Sequence, residues 1–213
     1  MTNEKTIEYY NSHAQSYFDE TVSADMHETC DCFLKYVRPG GTIMDVGAGS
    51  GRDLKYFTEK GYHAEGIDAA KELCILASEY AHVPIYCVRI QDWIPEKRYA
   101  GIWASACLVH LAWPEIEAFI RRLPDLLEEN GAAYISLKSG IKTGEDEKGR
   151  YFTDASEADL RPVIDEVPEL EIAQLWKSGD VMRRSGFHWV NVILKRKEKA
   201  DSKPALKKPE PAQ

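Results

Sequence analysis

The chain has 213 residues, 44% of them hydrophobic and 29% charged, with a formal net charge of −8. That length and apolar content suit one ordinary domain with a sizeable core, so no second domain is called for. No stretch approaches the roughly 18 apolar residues that a membrane span needs. The five cysteines are scattered, odd in number and preceded by no apolar leader, which argues against a disulfide framework and for a reducing cytoplasm. Cys30-Asp31-Cys32 is too tightly spaced for half of a zinc site and no second Cys/His pair answers it, so no metal is expected.

Charge is unevenly spread. From Lys195 onward the chain carries seven basic and three acidic residues, which leaves 20 basic and 32 acidic residues before it, a body near −12. A body so acidic is a poor platform for nucleic acid, whose binding depends on neutralising phosphates. The Lys-, Pro- and Ala-rich end reads as a solvated, disordered tail. The expected organisation is one domain over 1–194, including a helical cap over 1–40, followed by a basic tail over 195–213.

In chain order, residues 1 to about 38 show Tyr9, Tyr10, Tyr17 and Phe18, then Phe33, Leu34 and Val37, at helical spacing, until Arg38-Pro39-Gly40-Gly41 stops the helix. From Thr42 the pattern becomes short apolar strands alternating with helices, the mark of βα units that build a parallel sheet. Strands are expected over 42–46, 62–67, 85–88, 101–106, 131–138, 170–177 and 187–195. Helices are expected over 51–59, 69–80, 114–129 and 155–166, the last opening near Ser156, with Gly61 and Gly131 as C-caps. The result is an α/β fold, a doubly wound, seven-stranded, mostly parallel sheet with helices between the first five strands and on both faces. Its last strand is antiparallel. Ligands of such sheets sit outside the carboxyl ends of the strands, where the strand order reverses.

The first expected strand runs into Ile43-Met44-Asp45-Val46-Gly47-Ala48-Gly49-Ser50-Gly51-Arg52-Asp53, with glycines where a strand must turn sharply into a helix. Gly66-Ile67-Asp68 closes the second strand, 17 residues after Gly51, and an acid there can hold both hydroxyls of a ribose. The spacing is Gly-x-Gly-x-Gly, and Arg52 stands where a dinucleotide loop would place its last glycine against a pyrophosphate. A carboxylate such as Asp45 beside the glycines repels a pyrophosphate and suits a cation. After the third strand, Gln91-Asp92-Trp93 sets an acid beside an aromatic ring, a pair able to bond an adenine amino group and cover its ring.

Residues 43–53, 66–68, 91–93 and 101–111 together resemble the successive motifs of the class I S-adenosylmethionine (SAM) dependent methyltransferases. The resemblance covers residues 40–140, and Tyr9-Tyr10…Ala14…Tyr17 is similar to the cap helix of small-molecule members. It implies SAM as cofactor and S-adenosylhomocysteine as product. It further implies that Tyr17, Asp45, Gly47, Ala48, Gly49, Ser50, Gly51 and Arg52 border the methionine end, Asp68 and Ala69 the ribose, and Gln91, Asp92 and Trp93 the adenine. Ala104, Ser105 and Cys107 would lie near the methyl group.

Methyl transfer from a sulfonium needs positioning and exclusion of water, and needs a base only for a protonated acceptor. His110 is the base candidate; the rival reading is a histidine bonded to backbone. Gly144 to Thr153 reads as a mobile lid in which Arg150 and Tyr151 could grip an acceptor, joined by Arg183 from the Asp180–Arg184 loop. A convergence of these arginines would point to an anionic acceptor. The expected function is methyl transfer to a small molecule. The alternatives are an RNA-modifying methyltransferase, suggested by a loose similarity of Arg150-Tyr151-Phe152-Thr153 to wobble-uridine tRNA methyltransferases, and a non-catalytic SAM-binding regulator with Trp103, Leu108 or Trp113 plugging the acceptor site. A NAD-dependent oxidoreductase is disfavoured by the glycine spacing.

Overall fold

The computed structural model describes residues 4–198. Instead of one continuous amino-terminal helix it opens with three short ones, α1 (Glu4–Ser12), α2 (Ala14–Thr21) and α3 (His27–Leu34). The second break falls on Thr21-Val22-Ser23, weak helix formers in succession. β1 (Thr42–Val46), α4 (Arg52–Glu59), β2 (His63–Asp68), α5 (Lys71–Ala81), β3 (Ile85–Cys87) and β4 (Tyr99–Ala104) then follow, each within about two residues of the expected bounds. α6 (Trp113–Leu126) and β5 (Leu127–Ser139) come next, then a two-stranded hairpin of β6 (Gly144–Glu145) and β7 (Tyr151–Phe152). α7 (Glu157–Asp165), β8 (Leu170–Ser178) and β9 (His188–Arg196) close the fold.

The seven long strands form one sheet in the order β3-β2-β1-β4-β5-β9-β8. β1 to β5 are parallel and β9 is antiparallel to both of its neighbours. The order reverses between β1 and β4, which places the ligand crevice above Val46 and Ala104. On one face α3 and α4 bring Phe33 and Phe57 against Trp103 and Tyr134. On the other, α6 and α7 bury Ile116, Phe119, Leu160 and Ile164 against Ile102, Ile135 and Val192.

Four expectations need correction. Residues 88–98, between β3 and β4, hold no helix. Gly131 is not a helix cap but lies inside β5, because α6 ends at Leu126 and Leu127 pairs with Tyr99 across a register shift. Residues 144–152 form the hairpin, which is tied to the body rather than shaped as an open lid. β9 runs on to Arg196, whose buried guanidinium donates to the Leu127 carbonyl, so the strand continues past the expected boundary at 194. The rest of the expected tail, 199–213, lies outside the described residues. No helix of the described residues is long and apolar enough to cross a membrane. None of their His, Cys, Asp and Glu side chains form a metal-holding group.

Candidate active site

β1 ends on a buried carboxylate and the chain then turns back sharply. Gly47 (φ +75°) and Gly49 (φ +54°) make that turn, and Gly51 (φ +75°) caps α4. At Gly47 a side chain is impossible for a second reason: a Cβ there would lie 2.3 Å from the Cβ of Cys107. The turn therefore presses against the residues that follow β4, and the backbone itself forms the wall of the crevice.

Two cavities open at this point. The larger, of about 610 Å³, runs from Asp45, Ala48, Ser50 and Arg52 across the ends of β5, β8 and β9, to Tyr134, Ser136, Trp176, Trp189 and Asn191. The smaller, of about 90 Å³, is walled by Asp68, Ala69, Ala70, Leu73, Arg89 and Ile90, with His110 and Leu111 opposite. Tyr17, Gly47, Gly49, Ser105 and Ala106 border both, so the two are one continuous crevice with a throat. Tyr10 and Tyr17, edge to face at 5.1 Å, form the roof over the smaller one.

The electrostatics centre on three carboxylates. Asp53 is buried and fully engaged, accepting two hydrogen bonds from Arg52 at 2.7 and 2.9 Å and one from the Trp103 indole at 2.9 Å. Asp68 accepts from the Gly49 and Ala70 amides at 2.9 and 2.8 Å, and burial lifts its carboxyl above the ordinary range against those bonds. Asp68 also lines the smaller cavity, toward which its carboxylate keeps acceptor capacity. Asp45 is 3% exposed and lines the larger cavity, and among the described residues no donor reaches it. Burial, and then the neighbouring charge of Asp53, push its carboxyl well above the usual carboxylate value.

His110 sits in a short 3₁₀ turn, Leu108–His110, on the smaller cavity. Its Nδ1 lies 2.7 Å from the Tyr151 carbonyl, which can only accept, so Nδ1 carries the proton and Nε2 accepts from the Tyr10 hydroxyl at 2.9 Å. Burial takes its pKa down to about 4, with the charges of Arg150 and Lys138 adding to the effect. Both nitrogens are occupied and neither faces the larger cavity. The base expected at His110 is in this structure a neutral clamp on Tyr10.

Most of the residues expected at the cofactor do meet in the crevice: Tyr17, Asp45, Gly47, Ala48, Gly49, Ser50, Arg52, Asp68, Ala69, Ser105 and Cys107 each line one or both cavities. Others do not. Trp93 is buried in the core against Tyr99, Asp92 is exposed and paired with Arg89 at 2.5 Å, and Gln91 bonds Glu115. Arg89 and Ile90 take the place expected of those three. Ala104 is wholly buried in β4, and the next-but-one residue, Ala106 (φ +55°), lines the throat. Arg150 is held by Asp146 at 2.7 Å and stacked 4.9 Å from the Tyr9 ring, and Tyr151 engages His110 and Thr6 through its backbone. Arg183 is exposed and lines neither cavity; its neighbour Arg184 does, in a two-bond pair with Asp180. The expected convergence of arginines is therefore absent from the crevice. Trp103, Leu108 and Trp113, the expected plugs, line neither cavity.

The methyltransferase domain family matches residues 18–178, which span β1 to β8 and the whole glycine turn. The chain belongs to that family. Its fold is also that of solved SAM-dependent methyltransferases at low sequence identity. The Burkholderia thailandensis 1,6-didemethyltoxoflavin N1-methyltransferase, solved with 1,6-didemethyltoxoflavin and S-adenosylhomocysteine, superposes with a TM-score of 0.71 at 19% identity over 91% of this chain and 86% of that one. Magnesium protoporphyrin IX methyltransferase from Synechocystis, solved with SAM, gives 0.70 at 15% identity over 92% and 97%. The CcbJ methyltransferase of Streptomyces caelestis gives 0.71 at 16% over 89% and 98%.

Proposed function

We propose that the chain binds SAM across the two cavities and transfers its methyl group to a small-molecule acceptor held in the larger one. The observation that carries this reading is Asp45: a buried carboxylate without a donor, beside a glycine turn, fits the ammonium of a methionine moiety and nothing anionic. The remaining acceptor capacity of Asp68 fits the ribose hydroxyls, and Leu73, Ile90 and Leu111 fit the faces of an adenine. The neighbours solved with SAM or S-adenosylhomocysteine support the same placement, and two of them are named for small-molecule acceptors.

Bound SAM supplies a methyl group already activated on a sulfonium. The chain's part is to align it. Asp45 fixes one end, Asp68 the other, and Ser105, Ala106 and Cys107 border the throat between the cavities, where donor and acceptor would meet in line. Tyr10 and Tyr17 exclude water from above, and His110 holds the Tyr10 hydroxyl in place. No side chain with an ordinary basic pKa faces the throat, so an acceptor that attacks as a neutral group suits this site best. A lined cavity of about 610 Å³ falls in the range of small-molecule sites. The hairpin segment that suggested RNA is turned inward against α1.

The test is calorimetric titration with SAM, S-adenosylhomocysteine and NAD, repeated on Asp68→Ala. Adenosyl binding that the substitution weakens by about tenfold or more is expected, because a charge-assisted hydrogen bond contributes about 1.5–3 kcal/mol. Preferential NAD binding, or adenosyl binding indifferent to Asp68, would refute the reading.

A further inference from the structure

We infer that the acceptor is a nitrogen base, an amine or N-heterocycle that attacks uncharged and becomes cationic when methylated. This rests on the reading above and names the substrate class of the same site.

The lining of the larger cavity is lopsided in charge. Five carboxylates border it, those of Asp25, Glu28, Asp45, Asp53 and Asp180, against two guanidiniums, and neither a lysine nor a histidine is among the lining residues. Both guanidiniums are already spent, Arg52 on Asp53 and Arg184 on Asp180, each through two hydrogen bonds of 2.7–2.9 Å. The surplus left for an acceptor is therefore negative and sits at the mouth, on the exposed Asp25 and Glu28, where His27 lies 3.3 Å from Asp25; Asp45, deep inside, is committed to the cofactor's ammonium. An anion meets no unpaired cation among the lining residues, while a cation meets the carboxylates of Asp25 and Glu28 on its way in.

The walls favour the same partner. Tyr134, Trp176 and Trp189 line the cavity from three adjacent strands; the Lys138 ammonium already lies 5.4 Å from the Trp189 ring, and the Tyr134 and Trp176 rings, 6.1 Å apart, are aromatic faces that attract cations. Between them the floor is neutral: the Tyr134 hydroxyl donates to Asn191 at 2.7 Å, and Asn191 donates to Ser178 at 3.0 Å.

The chemistry gives this lining a purpose. The nitrogen lone pair forms the new N–CH₃ bond while the S–CH₃ bond breaks, its electron pair staying on sulfur. The sulfonium becomes a neutral thioether and the positive charge moves to nitrogen, where a primary or secondary amine then sheds its proton to water. Total charge is conserved, and the positive charge travels from the throat into the acidic, aromatic-lined chamber, which is built to stabilise it. A carboxylate or phenolate acceptor would have to enter the same chamber as an anion.

The experiment uses the full chain, first saturated with S-adenosylhomocysteine, then titrated by calorimetry with N-methylquinolinium, quinoline and quinoline-4-carboxylate. The cation is expected to bind at least about tenfold more tightly than the carboxylate, with quinoline between them. In the double variant Asp25→Asn, Glu28→Gln that ratio should shrink by about threefold or more while S-adenosylhomocysteine affinity, carried by Asp45, Asp68 and the smaller cavity, stays as it was. Equal or tighter binding of the carboxylate, or a ratio unmoved in the double variant, overturns the inference. A chain that fails to bind S-adenosylhomocysteine at all fails at the first step, which tells against the cofactor reading instead.

Discussion

Replacing His110 by Gln should change how stability depends on pH. In the folded chain burial holds its pKa at about 4, and in the unfolded chain it returns to about 6.5. Its folded value is the lower one, so its neutral form stabilises the fold fully above the unfolded pKa, and that contribution drains away as pH falls toward 4. Between about pH 7 and about pH 5 the linkage relation gives a loss of about 2 kcal/mol from this one group. Asp45 and Asp68 have raised pKa values and pull the other way, since their burial cost shrinks on acidification. They are common to both proteins and cancel in the comparison. Urea unfolding of the wild type and His110→Gln at the two pH values, followed by tryptophan fluorescence, therefore isolates the imidazole. The wild type should lose about 2 kcal/mol more than the variant over that interval. Losses equal within about 0.5 kcal/mol would mean that His110 titrates normally, and the reading of it as a neutral clamp would fall.

Two further outcomes follow from the glycine turn. Asp45→Asn should weaken SAM and S-adenosylhomocysteine binding by about 10- to 100-fold in calorimetry, yet raise the thermal midpoint of the ligand-free chain by about 2–4 °C, because a carboxylate that resists ionisation has been removed. A variant that lost affinity and stability together would contradict the account of Asp45. Gly47→Ala should cost about 2–4 kcal/mol, part from the left-handed backbone and part from the clash with Cys107. Adding Cys107→Gly should recover only the clash, and full recovery in a denaturation series would show that φ at Gly47 carries no cost.

The half of the fold from β1 to α5 was legible because its signals are local: apolar strand, glycine turn, helix, in immediate succession. Asp45, Gly47 and Asp68 could be placed for the same reason. Legibility fails where long-range pairing decides. Glu128-Glu129-Asn130 reads as the end of a helix, but Leu127 pairs with Tyr99 and draws those residues into β5, with Asn130 at φ +60°. After β3 no helix sets the phase of the chain, and Arg89 and Ile90, not Asp92 and Trp93, line the smaller cavity. The larger cavity was invisible in the sequence. Tyr134, Trp176 and Asn191 come from three strands that meet only in the sheet, and no spacing along the chain announces them. Arg150 and Tyr151 misled because a charged, glycine-flanked loop looks mobile until its acid, Asp146, is seen to bind its own arginine.

The roof over the smaller cavity also has a consequence in time. About 90 Å³ is far less than the several hundred that ligand sites usually offer, so on the proposed reading a nucleoside would enter only by pushing α1 and α2 aside. α1 is tied down by the exposed Lys5–Glu145 ion pair, the Thr6 to Tyr151 bond, the Tyr10 to His110 bond and the Glu72 amide donating to Asn11, while Tyr10, Ala14 and Tyr17 pack on Leu73 and Leu76 of α5. The polar ties are made by α1, a helix of nine residues, and the apolar ones are shared with α2. On the proposed reading, loading and the departure of spent cofactor would wait on this roof, which would make the residence time of the bound nucleoside a property of the first two helices rather than of the sheet beneath them.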